Sequence, residues 1–342
     1  MAPNSTVGLP ADYVNNLSVP EYMFLTYRDN GPQPLMYCAA LFDFLVMVVG
    51  YFGNTLVIAA VFKNKTLRGS CNYFLCLACF GDLLHQSAHW IFVYVTLSGV
   101  NFVPYRSCLY WNTIPQAGIA FSYLGTFFVG IDRLIGVGFP TYYRNIKPLY
   151  YVSAFYLLAV LIASYFLFLS YSFKGESVMV VCIIIDSLGG DAQQLFFQLC
   201  VLVNLADIVI YSIVWAMLRT KTGRGNENMK KVFRSLQVIM FSVAAGWLIT
   251  ALVVGLIIPF AHVPISQQWF WGAYFGWLPN IASASNFFTL YFFSQEYRLT
   301  FQSLLAPVFP CFRQGGKQRL FEGSRVGLTN STAQSAVQSA HF

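Results

Sequence analysis

The chain alternates long apolar runs with short polar connections. Seven runs reach the roughly 20 residues that carry a helix across a bilayer: Leu35–Phe62, Tyr73–Leu97, Cys108–Ile131, Tyr150–Tyr171, Leu195–Leu218, Leu236–Pro259 and Trp269–Phe293. The predicted fold is an all-α membrane protein, a seven-transmembrane helix bundle over residues 35–294. No connection is long enough to form a domain of its own. Residues 1–34 read as an outer tail without a charged n-region and cleavage site, so the first run is expected to serve as the insertion signal. After the last run, "QEYRLTFQSLLAPVFPCFR" spaces Leu299, Leu304 and Leu305 like one helix face. This predicts a short amphipathic helix within residues 295–312 on the inner leaflet, followed by a disordered cytoplasmic tail over 313–342.

Composition strengthens the membrane reading. The chain is 57% hydrophobic and 10% charged, where a soluble domain carries about 25% charged residues. So much apolar surface cannot be hidden in one water-soluble core. The charges then give an orientation. Seventeen of the 20 Lys and Arg residues fall on one side of the predicted bundle, and only Arg28, Arg106 and Lys174 fall on the other. The positive-inside rule puts the N-terminus outside and the C-terminus in the cytoplasm, as expected of a multi-pass plasma-membrane protein. The net charge of +7 reflects that inner rim and calls for no nucleic-acid partner.

Topology filters the modification motifs. The sequons at Asn4 and Asn16 lie in the outer tail, where glycosylation is expected, whereas Asn64 and Asn330 match the pattern on the inside. Of eight cysteines, Cys108 and Cys182 share the outer side, the compartment that favours a disulfide, and are expected to pair. Cys311 follows the amphipathic segment and is a palmitoylation candidate, with a free cytosolic thiol as the alternative.

Ionisable groups inside membrane helices usually face the bundle interior. Here they are Asp43, Asp82, His85, His89 and Asp207. Asp82, His85 and His89 share one face of the second run. The two histidines have the spacing of a zinc pair, but no third ligand is evident, so a hydrogen-bonded stripe lining a cavity is the better reading and no metal is expected. Asp43 and Asp207 have no partner that the sequence names.

At the inner end of the third run, "YLGTFFVGIDRLIGVGFP" carries Asp132 and Arg133, the only charges between Cys108 and Pro140. "GYFGN" with Asn54, "CFGD" with Asp82, "AAGW" with Trp247 and "NFFTLYFFSQEYR" with Asn286 complete a set of motifs on successive runs. Their order and spacing resemble the rhodopsin-like G-protein-coupled receptors. "FKNKTLRGSCNYFLCLACFGDLLHQ" and "IDRLIGVGFPTYYRNIKPLYY" resemble the nematode serpentine chemoreceptors of class SX more closely, over about residues 40–300.

The resemblance implies a set of roles. Asp132 and Arg133, with Tyr211 of the fifth run, would form the switch that couples to a heterotrimeric G protein. Asn54, Asp82, Ser122 and Asn286 would form a polar network in the helix core, able to hold a sodium ion as the one implied cofactor. Trp247 would be the activation toggle. The sequence departs from the broader family at several points: Ile249 stands where the sixth helix usually has proline, Phe287 stands after Asn286, and the fifth run has no proline. Hinging by proline in runs five to seven is therefore in question.

Other functions fit less well. All eight lysines lie in loops or tail, so none is available for a retinal Schiff base. A transporter would show paired halves, and an odorant-gated channel of the insect type would have its N-terminus inside. No hydrolase or metalloprotease motif occurs, and an Asp82/Asp207 dyad is a remote alternative, so no enzyme activity is expected. For the ligand, Pro115 occupies the position at which amine-binding relatives carry aspartate, which argues against a biogenic amine. His89, Asn112, Gln116, Trp271, Tyr274 and Trp277 are the expected pocket residues, a mixed aromatic and polar set suited to a small extracellular molecule, with a short peptide as the alternative.

Overall fold

A computed structural model describes residues 17–29, 31, 33–174, 178–221 and 227–309, with side chains of 221–236 excepted. Asn4, Asn16 and Cys311 lie outside the described residues. The described chain is a bundle of helices with one two-stranded ribbon. In chain order the helices are α1 (Val19–Tyr27), α2 (Pro34–Lys63), α3 (Ser70–Gln86), α4 (Ala88–Leu97), α5 (Tyr105–Trp111), α6 (Thr113–Gly138), α7 (Pro140–Asn145) and α8 (Pro148–Ser172). They continue as α9 (Asp191–Lys221), α10 (Glu227–Leu252), α11 (Ile258–Phe260), α12 (Ile265–Phe275), α13 (Trp277–Ala284), α14 (Asn286–Phe293) and α15 (Gln295–Leu305).

Five stretches are long and apolar enough to cross a membrane as single helices: Pro34–Lys63, Thr113–Gly138, Pro148–Ser172, Asp191–Thr220 and Gln237–Phe260. The second and seventh predicted runs are each divided. The break between α3 and α4 falls at Ser87, whose Oγ donates to the Leu84 carbonyl at 2.5 Å. Ser285, between α13 and α14, donates in the same way to Ala282 at 2.7 Å. Such local bonds compete with the helical ladder and bend it. Pro279 adds a second cause in α13, because it has no N–H for the Phe275 carbonyl. Thr250 of α10 serves that carbonyl instead, its Oγ1 standing 2.7 Å away. In the sixth run the irregularity lies at a π turn over Val253–Ile257, just before Pro259, rather than near Ile249. Prolines therefore do shape runs six and seven, at positions further out than the family pattern indicated.

Lipid is as apolar as a leucine side chain, so helices in a bilayer associate through close packing of small residues. The most extensive helix contact joins α3 to α6. A Cβ on Gly81 would come within 2.1 Å of the Ser122 amide nitrogen, and one on Gly125 within 2.5 Å of that of Ala78. The two backbones touch along this seam. That contact sets Asp82 level with Ser122.

At the outer end, β1 (Val103–Pro104) pairs antiparallel with β2 (Met179–Val180), Val103 opposite Val180. The Cys108–Cys182 disulfide lies beside this ribbon, with 5.5 Å between the Cα atoms. The helix α1 falls in the stretch read from sequence as an outer tail. Its signal was present: Ser18 and Glu21 form a capping box, with Ser18 N donating to Glu21 Oε2 at 2.8 Å, and Pro20 stands in the first turn. Met23 and Tyr27 pack into an apolar cluster with Met36, Phe92 and Trp269.

At the inner end, α15 docks on α2 through Asn64 Nδ2, which donates to Thr300 Oγ1 at 3.0 Å, and Lys63 Nζ, which donates to the Ser303 carbonyl at 3.2 Å. Its buried face is Tyr297, Phe301 and Leu305. Leu299, expected on the apolar face, is exposed. Aromatic residues at i and i+4 win the buried side because they reach the core around Phe287.

Candidate functional site

Three groups of buried polar residues lie along the bundle. At the inner end, Asp132 is wholly buried and accepts from four donors. Ser70 Oγ stands 2.7 Å from Oδ1, the Tyr143 hydroxyl 3.0 Å from Oδ1, and Arg133 Nε 3.1 Å from Oδ2, with Arg133 Nη2 also on Oδ2. Arg133 Nη2 also donates to the Tyr143 hydroxyl at 3.2 Å. The short helix α7 brings Tyr143 back under α6, and α3 opens with Ser70. Burial pushes the Tyr143 phenol up to about 12, against the pull of the Arg133 guanidinium, so the hydroxyl stays protonated and can donate. Tyr211, the expected third member, is buried one helix away, its ring against Gly130 of α6 and next to Asp207. Ser70 and Tyr143 were missed from sequence.

In the middle, the structure brings Asn54, Asp82, Ser122 and Asn286 together. Ser122 Oγ donates to Asp82 Oδ1 at 2.5 Å and Asn286 Nδ2 donates to Asp82 Oδ2 at 3.0 Å. Asn286 Nδ2 also stands 3.1 Å from Asn54 Oδ1, and Asn54 Nδ2 reaches the Ser283 carbonyl at 3.4 Å. One carboxylate thereby ties α2, α3, α6 and α14 together. Its oxygens and those of the amides and hydroxyl form a donor set suited to a small hard cation. The Asp82/Asp207 dyad does not form: Asp207 lies beside Gly130 and Tyr211, away from that network. Among the described residues no three His, Cys, Asp or Glu side chains group so as to hold a metal, and His85 and His89 have no third ligand of these types.

Towards the outer end, a cavity of about 450 Å³ opens above Trp247. Its inner end is made by Trp247, His85, Asp43, His89 and Asn280; Val254, Ile258, Phe92 and Trp269 form apolar walls. The loop residues Ile183–Asp186 and the start of α1 at Ser18–Pro20 also line it. Asp43, which had no nameable partner in sequence, accepts from Asn280 Nδ2 at 3.1 Å, and His89 Nδ1 lies 3.9 Å from its other oxygen. Trp247 packs against His85, Tyr123 and Phe196 with ring centroids 5.9, 6.4 and 5.7 Å apart.

Of the six expected pocket residues, His89 lines this cavity and the other five are placed elsewhere. Asn112 turns to the disulfide, its Nδ2 donating to the Cys108 carbonyl at 3.0 Å. Gln116 holds the loop, donating to the Ser187 carbonyl and Oγ, each at 2.8 Å. Trp271 stacks on Phe275 in an outer apolar cluster. Tyr274 and Trp277 pack on each other and, through Trp277, on Phe42 of α2. The correction has two causes: the disulfide and the Ser187 loop hold Asn112 and Gln116, and the turn at Gly276 sets the faces of the seventh run.

The loop that covers the cavity is held by Asp186, whose Oδ2 accepts the amides of Cys182 at 3.1 Å and Ile183 at 3.3 Å. Burial pushes this carboxyl up to about 7, against the lowering effect of those two amides.

Residues 47–305 match the family model of the serpentine type 7TM GPCR chemoreceptor Srsx. The chain belongs to that family. The matched stretch contains the three polar groups just described, except for Asp43. The chain is also similar to a human protein described as "Probable G-protein coupled receptor 45", 27% identical over 136 residues, which is 35% of each chain. The match thus spans about a third of that relative's length. Membrane-spanning helices, the Cys108–Cys182 bridge and membership of a chemoreceptor family agree with one another.

Proposed function

We propose that this receptor is a rhodopsin-like plasma-membrane protein with seven spans, its N-terminus outside and C-terminus in the cytoplasm. In this reading α3 with α4 forms one bent span and α12 to α14 form another. It takes a small extracellular ligand in the cavity above Trp247 and passes the signal to a heterotrimeric G protein through Asp132 and Arg133. The observation that carries this reading is the joint arrangement: a cavity floored by Trp247 at one end of the bundle and a fully bonded Asp132-Arg133 pair at the other. A cavity of about 450 Å³ fits small ligands better than a peptide. The name of the human relative supports the same class of activity.

The inner group acts as a switch rather than as a staple. A buried ion pair adds little net stability, because desolvation offsets the attraction, but it can select between two packings. In the resting state Asp132 holds Arg133. When the inner end of α10 moves, Arg133 leaves Asp132 and its planar fork of five donors meets carbonyl groups of the incoming partner. The middle group holds a sodium ion at Asp82 in the resting state, with Ser122, Asn54 and Asn286 as further oxygen donors. The test is guanine-nucleotide exchange on a set of purified heterotrimers by membranes that carry the protein. Exchange above that of control membranes supports the reading, and its absence with every heterotrimer counts against it.

A further inference from the structure

The cavity carries more information than its volume. Among the described residues two carboxyl side chains line it, Asp43 and Asp186, and neither Lys nor Arg does. The carboxyls differ in how far they are already used. Asp186 spends Oδ2 on the two loop amides that it clamps. Asp43 is buried within α2, with one amide donor from Asn280 and the His89 ring at 3.9 Å, longer than a hydrogen bond. A carboxylate so placed is poorly compensated for the water it has lost.

A second observation points to an occupant. His85 Nδ1 and Trp247 Nε1 are buried, line the cavity and have no hydrogen-bond partner. His89 Nε2 and Asn280 Oδ1, at the same end, have no well-formed bond either. Buried polar atoms in native proteins are normally satisfied. The three that can accept, His85 Nδ1, His89 Nε2 and Asn280 Oδ1, mark a place at the cavity's inner end that a hydrogen-bond donor enters; Trp247 Nε1 only donates. The walls beyond are aromatic and aliphatic, so the rest of that molecule is apolar.

We propose that the cavity takes a small organic cation, a protonated amine on an apolar body, with its charged head against the bonded Asp43–Asn280 pair and its body against Phe92, Trp269 and Ile258. This rests on the receptor reading above and names the ligand class for the same site. The third helix offers no acid, since Pro115 stands where amine-binding relatives carry aspartate; here the carboxylate comes from the first long helix instead. The head meets Asp43 Oδ2 and Asn280 Oδ1 as acceptors, and the aromatic faces nearby add cation–π attraction. Anionic ligands are disfavoured because no Lys or Arg side chain faces them. The amine lies over the His85–Trp247 pair, so its arrival bears on the residue expected to act as toggle.

The test is binding rather than signalling, so it separates this inference from the G-protein reading. The purified full-length protein is titrated with three isosteric probes: 3-phenylpropylamine, 3-phenylpropanol and 3-phenylpropanoate. Thermal unfolding and the intrinsic fluorescence of the tryptophans give the affinity. The amine is expected to bind about tenfold to a hundredfold more tightly than the alcohol, the range of a hydrogen bond to a charged group. The carboxylate is expected not to bind. Asp43→Asn removes the preference for the amine while leaving weak binding of the alcohol. Should Asp43→Asn fail to fold, the three-probe comparison on the wild-type protein decides the matter. Equal affinity for amine and alcohol, tighter binding of the carboxylate, or no binding of the amine at millimolar concentration overturns the proposal. The first two outcomes would leave a ligand-binding receptor intact.

Discussion

Replacing Asp132 by Asn keeps the shape of the side chain and removes its charge, which isolates the resting clamp on Arg133. The carboxylate is wholly buried and accepts from Ser70 at 2.7 Å, Tyr143 at 3.0 Å and Arg133 Nε at 3.1 Å. A hydrogen bond to a charged group contributes about 1.5–3 kcal/mol net. If Asp132→Asn costs the resting packing about 2 kcal/mol, the ratio of resting to active protein falls roughly 30-fold. Basal nucleotide exchange then rises by up to that factor, until the active form predominates. Tyr143→Phe and Ser70→Ala each remove one donor and leave the charge, so each should raise basal exchange by roughly tenfold, the lower end of that range. The assay is ligand-free exchange on a reporter heterotrimer, normalised to surface protein. The graded order Asp132→Asn above Tyr143→Phe and Ser70→Ala is the signature. Unchanged basal exchange in Asp132→Asn at matched surface level would refute the clamp and leave the pair as a topology anchor.

Other expectations follow from the same structure. Gly125→Leu forces α3 and α6 apart, because even a Cβ there stands 2.5 Å from the Ala78 nitrogen; it should cost about 1–3 kcal/mol or more and lower surface expression, whereas Gly255→Ala, with open space around it, should be close to neutral. Replacing sodium by N-methylglucamine at constant ionic strength should lower the unfolding temperature of the wild-type protein but not of Asp82→Asn; equal shifts would point to a water-filled network. Asp186 has a folded pKa of about 7 against an ordinary 3.8, so its contribution to stability is full below that ordinary value and is lost as pH rises through 7. Unfolding temperature should therefore fall across that window, and Asp186→Asn should flatten this part of the profile.

Much of the architecture is legible in the sequence because a bilayer leaves few alternatives: backbone groups must be satisfied within a helix, so a long apolar run implies a span. The core network was legible through the resemblance, which implies that Asn54, Asp82, Ser122 and Asn286 meet; the structure bonds them to one another, with the Ser283 carbonyl as a further acceptor. What sequence hid depends on local bends. Ser87, Gly276 and Ser285 turn the second and seventh runs, and a turn of a few tens of degrees decides whether Trp277 faces the cavity or Phe42. Position in the outer half of a run put Tyr274 and Trp277 in the pocket, and passed over Asn280 and Asp43, which meet there across more than two hundred residues of chain. Tyr143 was missed because its bond to Asp132 depends on the reversal at Phe139, where the helix ends with φ −129° and Pro140 starts the next. The helix α1 was missed although Ser18 and Glu21 announced it, since a terminal segment carries no apolar run to attract notice.

The central claim is that Arg133, released from Asp132, engages a heterotrimeric G protein. With no ligand in hand, the direct test places Arg133→Ala in the Asp132→Asn background, where the clamp is already open. Ligand-free nucleotide exchange is measured for both proteins at equal surface level, with amine-probe binding as the check on folding. The account predicts raised exchange in Asp132→Asn, its loss to control level in the double variant, and only partial recovery with Lys, whose ammonium lacks the planar fork. Exchange that stays as high in the double variant as in Asp132→Asn would contradict it.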